Sequence, residues 1–517
     1  MDSSSLLLSG RRREGIALAI IMQVATVFLV LRFIGIHAWD DGAITLAFSK
    51  TFAETGRIAL TASSEQVEGF SSISWFLLNA LAALFRPGFE QAIAVGQLLA
   101  ATFVTVSLFF LSKLCRALAF PPLAEGLTLV CFAISGATIA ETANGMEMTL
   151  LAASALAFVH ATYFAPQRAL AILALVLFVT TRFEAIFYLA FLLLPLWFRG
   201  RRAEMFLWAS LGGAIFLGLA GLRWIIFSDI LPNTIWAKMH APYSVYGLRG
   251  FTRRIEAALE LPRLVLPLLL AIGVGAAVQW KRQRCLTWPA DWKACHVDLL
   301  LMPVIAAEIF SFVSSKNWGY AGRMQFFALP FALLLIVQVL LRIGLLADSR
   351  RRIAISLFIV TICFSWWNSA RNNFSEMFYE ATGSAYFEAK RSLVTPATFR
   401  NIGLKVEDIR QTLDRPTIVY LTPDVGGVGL CCANIRVVDI AMLTNRTLAR
   451  DGYGALPSVL RDERPDVIEV HDVWAKDSKI YEDRLFVENY EPLVIRGSRF
   501  FLRKDVLDKV KRSGLAQ

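Results

Sequence analysis

The chain has 517 residues, of which 56% are hydrophobic and only 18% charged, whereas soluble proteins carry about 25% charged residues. That deficit excludes an ordinary soluble enzyme and is typical of a membrane protein. The net charge of +11 does not indicate a nucleic-acid partner, because the basic clusters flank apolar runs, where positive residues mark the cytoplasmic side of a membrane.

Four basic clusters, at 11–13, 199–202, 281–284 and 350–352, set the predicted topology. Placing all four in the cytoplasm predicts a polytopic α-helical membrane protein with about eleven transmembrane helices, a cytoplasmic N-terminus and an extracytoplasmic C-terminus. The first run is too long for a signal peptide and no small-residue cleavage site follows it, so we expect it to remain as a span. The predicted spans are 15–36, 89–112, 123–140, 146–164, 168–181, 183–198, 204–227, 262–280, 297–315, 325–342 and 353–368.

One apolar stretch, at 71–85, is only about 15 residues long, whereas a transmembrane helix needs about 20. If this stretch crossed the membrane, every later basic cluster would lie outside the cell. We therefore predict a helix that lies at the outer membrane interface, or is re-entrant, within an outer loop at 37–88.

The tail differs in composition, because charged residues are scarce from 15 to 367 and frequent from 370 to 517. We therefore divide the chain into a membrane domain at 1–368 and an extracytoplasmic domain at 369–517. The pattern of the tail indicates a small α/β fold. Its predicted strands lie at 417–421, 435–439 and 466–470, and its predicted helices at 404–413 and 453–462.

The seven cysteines show no metal-binding spacing. Cys431 and Cys432 are adjacent, and neighbouring cysteines rarely bridge each other because the usual disulfide geometry needs a wider separation. We expect no disulfide between these two residues.

Two adjacent acids, Asp40 and Asp41, directly follow the first span. Carboxylates beside a bilayer cost free energy unless they are solvated, paired with a cation or engaged in binding or catalysis. On the predicted topology the other polar outliers of the membrane half also fall in outer loops, which predicts an outward-facing polar cavity. They are Glu65, Glu68, Glu141, Asn144, Glu147, Arg182, Glu184, Asn233, Lys238, His240, Lys316, Asn317, Tyr320 and Arg323.

A cavity with both carboxylates and cations suits an anionic substrate and acid–base chemistry. A carboxylate can accept the proton of an attacking hydroxyl, while Arg and Lys can hold a phosphate and stabilise it as it leaves. Nucleotide sugars and ATP are not supplied outside the cytoplasm. These residues therefore predict a lipid-linked phosphate donor that reaches the site through the membrane.

Short motifs follow one another along the chain and resemble, in the same order, those of GT-C glycosyltransferases. The set looks most like the mycobacterial terminal arabinofuranosyltransferase group, although Phe183 and Ala185 replace its usual Pro and Gly, and Thr444-Asn445 stands where an acid is common. The motifs are Asp40-Asp41-Gly42-Ala43-Ile44, Val67-Glu68-Gly69-Phe70-Ser71, Gly145-Met146-Glu147, Thr181-Arg182-Phe183-Glu184, Leu231-Pro232-Asn233-Thr234 with Ala237-Lys238, Gly322-Arg323-Met324-Gln325-Phe326, Asp424-Val425-Gly426-Gly427-Val428-Gly429 and Arg436-Val437-Val438-Asp439.

The resemblance implies a GT-C fold and an inverting transfer in which one of the paired acids is the catalytic base. We assign the base to Asp40 and an orienting role to Asp41, with the reverse left open. The donor phosphate ligands are then Lys238, Arg323 and Arg182, although each could instead be a cation at the membrane interface. Residues expected to bind sugar or acceptor are Glu147, Glu184, Glu68, Asn233, His240 and Trp39.

Each residue expected to bind sugar or acceptor also has a structural alternative. Glu147 and Glu184 could pair with Arg182, and Glu68 could cap the short apolar helix. Asn233 could shape the turn at Pro232, His240 could be an ordinary loop residue, and Trp39 could belong to an interfacial aromatic belt.

The expected function is transfer of a sugar, D-arabinofuranose by resemblance, from a polyprenyl phosphate to an extracytoplasmic glycan or protein acceptor at the bacterial inner membrane. The alternatives are another lipid-linked sugar such as mannose or, in a different class, a transporter or lipid flippase. A transporter would require charges at mid-membrane and symmetry between halves. Arg32 is the only charge inside the first apolar run and lies near its outer end, and the halves show no such symmetry. Beyond the lipid-linked co-substrate and membrane lipids, we expect no cofactor, metal or nucleic acid.

Overall fold

A computed structural model of the chain describes residues 3–34, 39–240, 251–283, 296–314, 322–346, 350–373 and 395–515. The predicted site residues Lys316, Asn317 and Tyr320 lie outside these ranges. The chain divides into two compact units, each built from three stretches. The helical unit comprises Met1–Gly35, Gln97–Phe216 and Arg249–Ala389, and the mixed unit comprises Ile36–Gly96, Leu217–Leu248 and Lys390–Gln517.

The helices of the first 373 residues follow the apolar runs of the sequence. They are α1 (Ser3–Ile34), α2 (Asp40–Thr55), α3 (Ile73–Ala83), α4 (Phe89–Ala117), α5 (Pro122–Ala133), α6 (Gly136–Asn144), α7 (Met148–Val159), α8 (Arg168–Thr181), α9 (Ala185–Phe198), α10 (Arg202–Phe227), α11 (Asn233–His240), α12 (Phe251–Ala258), α13 (Glu260–Leu264), α14 (Leu266–Gln283), α15 (Val297–Ser314), α16 (Leu329–Arg342) and α17 (Arg351–Asn373). A π-helical turn extends α7 over His160–Phe164, and a 3₁₀ turn over Arg323–Ala328 leads into α16.

Membrane-spanning helices are evident from length and composition. Within the described ranges, five helices are long and apolar enough to cross a membrane, or six if the bent pair α5 and α6 forms one span. The five are Glu14–Arg32, Phe89–Ala117, Arg202–Phe227, Val297–Ser314 and Arg323–Arg342. Shorter apolar helices include α3, α8 and α9, and a helix lies in each of the eleven predicted ranges. The chain is a multi-pass membrane protein.

The core of the helical unit is dominated by aromatic and aliphatic side chains. Phe132, Phe158, Phe178, Tyr188 and Phe327 are fully buried in it. Burying one such side chain contributes about 1.5–3 kcal/mol relative to leaving it in water. This packing fixes the turns between helices, and those turns carry the polar residues considered below.

The predicted helix at 71–85 is present as α3, over 11 residues. The hydroxyl of Ser72 caps its start by accepting a hydrogen bond from the N–H of Trp75 at 3.1 Å. Such a cap satisfies one of the helix's otherwise unpaired N–H groups. At 11 residues α3 is about half the length of a span, as the sequence predicted.

The tail contributes a five-stranded sheet with helices around it. Its strands are β1 (Ile418–Thr422), β2 (Ile435–Asp439), β3 (Val467–Ile468), β4 (Tyr490–Ile495) and β5 (Ser498–Arg503), in the order β2-β1-β3-β5-β4. Strand β1 is parallel to both β2 and β3, whereas β5 is antiparallel to β3 and β4. The helices are α18 (Pro396–Leu413), α19 (Gly426–Cys431), α20 (Arg446–Asp451), α21 (Leu456–Glu463), α22 (Asp472–Ser478), α23 (Arg484–Asn489) and α24 (Lys504–Arg512).

The hairpin of β4 and β5 was not among the predicted strands. Its two-residue turn is Arg496-Gly497, and both residues have positive φ, at 45° and 78°. Turns of this kind match the twist of the flanking strands. Pro492 weakens the strand pattern of β4 in the sequence, but β4 is an edge strand, where proline is tolerated.

The predicted outer loop at 37–88 and the tail share one hydrophobic core within the mixed unit. Ala47 and Phe48 of α2 are fully buried in the same cluster as Val406 of α18 and Val428 of α19. Most of α2 is therefore enclosed by protein. The boundary at 368/369 stays a prediction, and the compact unit that contains the tail also includes residues 36–96.

Our expectation for the vicinal cysteines was wrong, because Cys431 and Cys432 form a disulfide with a Cα–Cα separation of 3.8 Å. Helix α19 ends at Cys431, and Cys432 leaves it with φ −124° and ψ 82°. The backbone direction therefore changes between the two residues, a local feature that the general spacing rule for disulfides does not anticipate.

Candidate active site

The carboxylate of Asp40 is fixed by two consecutive backbone amides. Its Oδ2 accepts a hydrogen bond from the N–H of Gly426, and its Oδ1 accepts one from the N–H of Gly427, each at 2.7 Å. Asp40 begins α2 and is only 4% exposed. Both oxygens are thereby oriented, and each retains lone-pair capacity because a carboxylate offers about four acceptor sites.

Gly426 and Gly427 are glycines because the backbone is approached too closely for a side chain. A Cβ on Gly426 would overlap the carbonyl oxygen of Asp40, and a Cβ on Gly427 would overlap that of Pro396. A Cβ on Gly429, one turn further along α19, would lie only 2.7 Å from Cγ of Leu60. The Gly-Gly-Val-Gly sequence is therefore a close-packing surface as well as a helix start.

A third carboxylate, that of Asp424, lies two residues before the amides that hold Asp40. Nε2 of His471 is 3.2 Å from Oδ2 of Asp424, and Nδ1 of the same ring is 2.9 Å from Oε1 of Glu469. The hydroxyl of Thr422 donates to Oε2 of Glu469 at 3.2 Å. The ends of β1 and β3 thus place an imidazole between two acids, which raises the pKa of His471 to about 10 despite its burial.

The surroundings of Asp40 favour its protonated form. Burial raises the pKa of Asp40, the charge of Asp424 raises it further, and Asp41 adds a smaller increase. The N–H groups of Gly427 and Gly426 stabilise the carboxylate and oppose that rise, but the pKa still reaches about 8. A carboxyl group whose pKa lies near neutral pH is suited to accept and release a proton.

Asp41 and Trp39 lie at the same helix start and are half-buried. Trp39 is the N-terminal flanking residue of α2, and its carbonyl oxygen accepts a hydrogen bond from the N–H of Gly42 at 3.0 Å. Two acids in the first turn also interact favourably with the positive end of the helix. The structure therefore places these predicted site residues side by side, with Asp41 more accessible than Asp40.

Glu68 is buried and makes a two-pronged ion pair with Arg223 of α10. Arg223 Nε lies 2.7 Å from Oε2 of Glu68, and Nη2 lies 3.0 Å from Oε1. Such bidentate pairs are both strong and geometrically specific. The backbone oxygen of Glu68 also accepts a hydrogen bond from the N–H of Asn233 at 3.2 Å, so these two predicted residues adjoin each other.

The remaining predicted residues of the mixed unit lie on α11. The side-chain amide of Asn233 is buried and donates to the carbonyl oxygens of Met442 at 3.0 Å and Leu443 at 2.8 Å. His240 is exposed, and its Nδ1 lies 2.8 Å from the carbonyl oxygen of Ala449. Lys238 is also exposed.

In the helical unit, four predicted residues form one ion-pair cluster. Arg182 follows α8 and bonds to both Glu147, which precedes α7, and Glu184, which precedes α9. Nη2 of Arg323 is 3.2 Å from the same oxygen of Glu147 that Arg182 contacts. Arg182 is 3% exposed and Arg323 is 14% exposed, so Arg323 is the more accessible cation.

Arg223, Asp424 and His471 are among the residues of these networks that were not predicted as site residues. Arg223 interrupts an apolar helix, which is a signal of a buried partner. Asp424 belongs to the quoted Asp-x-Gly motif, but nothing in the sequence indicates that it lies beside Asp40. His471 carries no sequence signal, because its partner Asp424 is 47 positions away.

The solved structures that are similar to this chain include two that match most of its length. One is ArnT from Cupriavidus metallidurans in the apo state, with a TM-score of 0.54, 13% identity, and coverage of 93% of this chain and 97% of that one. This chain has the GT-C fold. The predicted fold class, a helical membrane protein with a small C-terminal α/β portion, is confirmed.

The other is the archaeal oligosaccharyltransferase AglB from Archaeoglobus fulgidus, in complex with an inhibitory peptide and a dolichol-phosphate. Its TM-score is 0.49 at 12% identity, covering 95% of this chain and 74% of that one, a likeness too weak to argue from. No protein-family model and no curated protein matches the sequence. The GT-C fold is therefore established by structure, and function must be argued from the residues.

Gly426→Ala tests the close approach of α19 to Asp40. The added methyl group forces the two backbones apart, and overpacking of this kind costs about 1–3 kcal/mol. We expect a lower melting temperature for the purified protein. Gly454→Ala is the matched control in the tail, because none of the described residues comes within 4 Å of a Cβ built at Gly454. Equal melting temperatures for the two variants would contradict the contact.

Asn233→Ala distinguishes a structural amide from a sugar ligand. Two buried carbonyl oxygens lose their donor, which costs about 1–3 kcal/mol, so we expect a lower melting temperature. Asn401→Ala, at an exposed position of α18, serves as the control and should melt like the parent. An unchanged melting temperature for Asn233→Ala would show that the amide does not stabilise the tail.

Proposed function

We propose that this protein is an inverting glycosyltransferase that moves a sugar from a polyprenyl phosphate to an extracytoplasmic acceptor. The observation that carries the proposal is the carboxylate of Asp40, fixed by two backbone N–H groups in a chain with the GT-C fold. A carboxylate oriented in this way is pre-organised to accept a proton. The neighbouring acids that raise the pKa of Asp40 also favour a role in proton transfer, because an acid with a purely structural role would not need them.

In the proposed step an acceptor hydroxyl attacks the anomeric carbon of the donor sugar. The new carbon–oxygen bond forms as the bond between that carbon and the phosphate oxygen breaks, with inversion at the carbon. The proton of the hydroxyl passes to Asp40, and the polyprenyl phosphate leaves with the bonding electron pair. General base catalysis of this kind contributes about 10²- to 10⁴-fold to a rate.

Asp40 is the proposed base and Asp41 the proposed orienting residue. The pKa of about 8 leaves a useful fraction of Asp40 ionised at neutral pH while keeping it a strong enough base. Asp41 is more accessible, so it is the alternative base, and the two assignments are separated by the variants below.

The leaving phosphate needs cations, and Arg323 is the best-suited ligand of the three predicted. Arg182 has its Nε and one terminal nitrogen committed to Glu184 and Glu147, which suits a role in positioning. Arg323 is more exposed and its guanidinium offers five N–H donors. Lys238 is exposed and remains a proposed phosphate ligand from the resemblance.

The other predicted ligands divide by what they already contact. Glu147 and Glu184 hold Arg182, and Glu68 holds Arg223, so all three are proposed as positioning residues. The amide of Asn233 is committed to the tail backbone. Trp39 is the proposed sugar-stacking residue, because it precedes the paired acids directly and is half-buried.

The identity of the sugar is proposed from the motif resemblance alone. D-Arabinofuranose is the first candidate, and another lipid-linked sugar such as mannose is the second. The acceptor is proposed to be a glycan or protein outside the cytoplasm, reached from the bacterial inner membrane with the N-terminus inside and the tail outside. No cofactor besides the lipid-linked donor is proposed.

Glycosyl transfer by the purified protein tests both the reaction and the base. With water as the attacking hydroxyl, polyprenyl-phosphoryl arabinofuranose should be hydrolysed to free sugar and polyprenyl phosphate. Polyprenyl-phosphoryl mannose should be hydrolysed at least about tenfold more slowly, a specificity ratio worth about 1.4 kcal/mol. Asp40→Asn should lower kcat by about 10²- to 10⁴-fold, and Asp41→Asn by less. Asp462→Asn, an exposed acid of α21, is the control and should keep the parent rate.

Three results would contradict these assignments. A larger loss in Asp41→Asn than in Asp40→Asn would exchange the two roles. Parent rates in both variants would remove the acid pair from the chemistry. Hydrolysis of neither lipid donor, by a protein that melts normally, would overturn the proposed reaction.

The pH dependence of kcat/KM tests the environment of Asp40. The base must be ionised to accept a proton, so kcat/KM should rise with pH, reach half of its maximum near pH 8 and level off above that pH. Asp424→Asn removes a negative charge that raises the pKa of Asp40, so the rising limb should shift to lower pH. Asp462→Asn is the control and should keep the parent pH profile. If the rising limb of kcat/KM does not shift in Asp424→Asn, the electrostatic coupling of Asp40 and Asp424 is contradicted.

A further inference from the structure

Helix α3 presents an apolar stripe that no described part of the protein covers. Leu77 and Leu81 of α3 are exposed, as are Leu84 and Phe85 directly after it, the last at 87%. The spacing of Leu77, Leu81 and Leu84 by three or four residues places them on one face. The opposite face, including Asn79, is buried. Such a helix is typical of one that lies in the membrane interface with its apolar face among acyl chains.

A cavity of about 230 Å³ lies beside α3 in the mixed unit. Its walls come from α2, α3, the loop after α3 and the first turns of α4. Apolar side chains such as Leu46 and Val95 line part of it, and the polar lining is Lys50, Glu54, Asn79 and Arg86. The volume is several times that of one water molecule, about 30 Å³.

Asn79, which lines this cavity, has an unsatisfied polar atom. The residue is 3% exposed, and its Nδ2 donates to the carbonyl oxygen of Trp75 at 2.8 Å. Its Oδ1 is buried and accepts no hydrogen bond from the described residues. A buried acceptor without a donor is costly, so the site favours a ligand that carries an N–H or O–H group.

The charges around the cavity match a zwitterion. Lys50 donates one hydrogen bond, from Nζ to the carbonyl oxygen of Leu430 at 3.0 Å, and an ammonium group has three N–H donors. Arg86 is exposed and adds a guanidinium, while Glu54 adds a carboxylate. Two cations suit a phosphate, and one carboxylate beside a buried amide oxygen suits an ammonium group.

We propose that this cavity binds the headgroup of a membrane phospholipid that carries a phosphate and a primary ammonium group, namely phosphatidylethanolamine. The phosphate is bound by Lys50 and Arg86, and the ammonium donates to Glu54 and to Oδ1 of Asn79. The acyl chains then cover the apolar stripe of α3. The lipid anchors the outer loop to the membrane, and this role does not depend on the proposed glycosyl transfer.

Lipid retention by the full-length protein in detergent tests the proposal. Native mass spectrometry during titration with phosphatidylethanolamine and with phosphatidylglycerol of the same acyl chains measures both affinities. We expect one phosphatidylethanolamine per chain and about tenfold weaker phosphatidylglycerol binding, because its headgroup lacks the ammonium. Arg86→Gln should weaken both lipids about tenfold, and Arg461→Gln, an exposed cation of α21, should weaken neither.

Glu54→Gln separates headgroup recognition from general charge attraction. This exposed position should tolerate the change without a lower melting temperature. The variant should bind phosphatidylethanolamine about tenfold more weakly and phosphatidylglycerol unchanged. Equal affinity of the parent for the two lipids, or no effect of Glu54→Gln, would overturn the proposal. Full competition by soluble phosphoethanolamine would also overturn it, because the ligand would then be a free phosphate compound.

Discussion

One carboxylate joins two parts of the chain that lie almost four hundred residues apart. The carboxylate of Asp40 accepts hydrogen bonds from the N–H groups of Gly426 and Gly427, at sequence separations of 386 and 387. Hydrogen bonds to an ionised acceptor are among the stronger ones in proteins. These hydrogen bonds require glycines at 426 and 427 in the tail, and they require Asp40 to stand at the start of α2. The hydrophobic core of α2, α18 and α19 packs next to this contact.

The same contact sets the chemistry of the site. Burial alone would make Asp40 a neutral, inert acid, and the charge of Asp424 acts in the same direction. The two amides oppose both effects and keep the carboxylate within reach of neutral pH. The tail therefore tunes the acid that the outer loop supplies, which gives the α/β portion a part in the proposed reaction beyond binding an acceptor.

Much of the fold followed from the sequence, because its signals are local. Long apolar runs bounded by basic clusters indicated the helices, and a run too short to span indicated α3. Strands β1 and β2 were predicted within one residue at either end. The hairpin of β4 and β5 escaped because Pro492 breaks its pattern, and the Cys431–Cys432 bridge contradicted a rule that describes separated cysteines.

The site was harder to predict, because its partners are distant in sequence. The acids Asp40 and Asp41 stood out beside the first span, but a single sequence gives no sign that Gly426 holds one of them. Glu68 was noticed without Arg223, its partner 155 residues away. Arg182 and Glu147 were predicted as substrate ligands with an ion pair between them as the alternative, and the structure shows that ion pair.

Hydrogen exchange at the start of α19 tests the Asp40 contact most directly. Deuterium uptake of the peptide at 425–431 should be slow in the parent protein, and Asp40→Ala should speed exchange of the Gly426 and Gly427 amides while uptake in β1 stays unchanged. Asp41→Ala should leave both segments protected. Unchanged protection of 425–431 in Asp40→Ala would show that these amides are held by something else and would contradict the account.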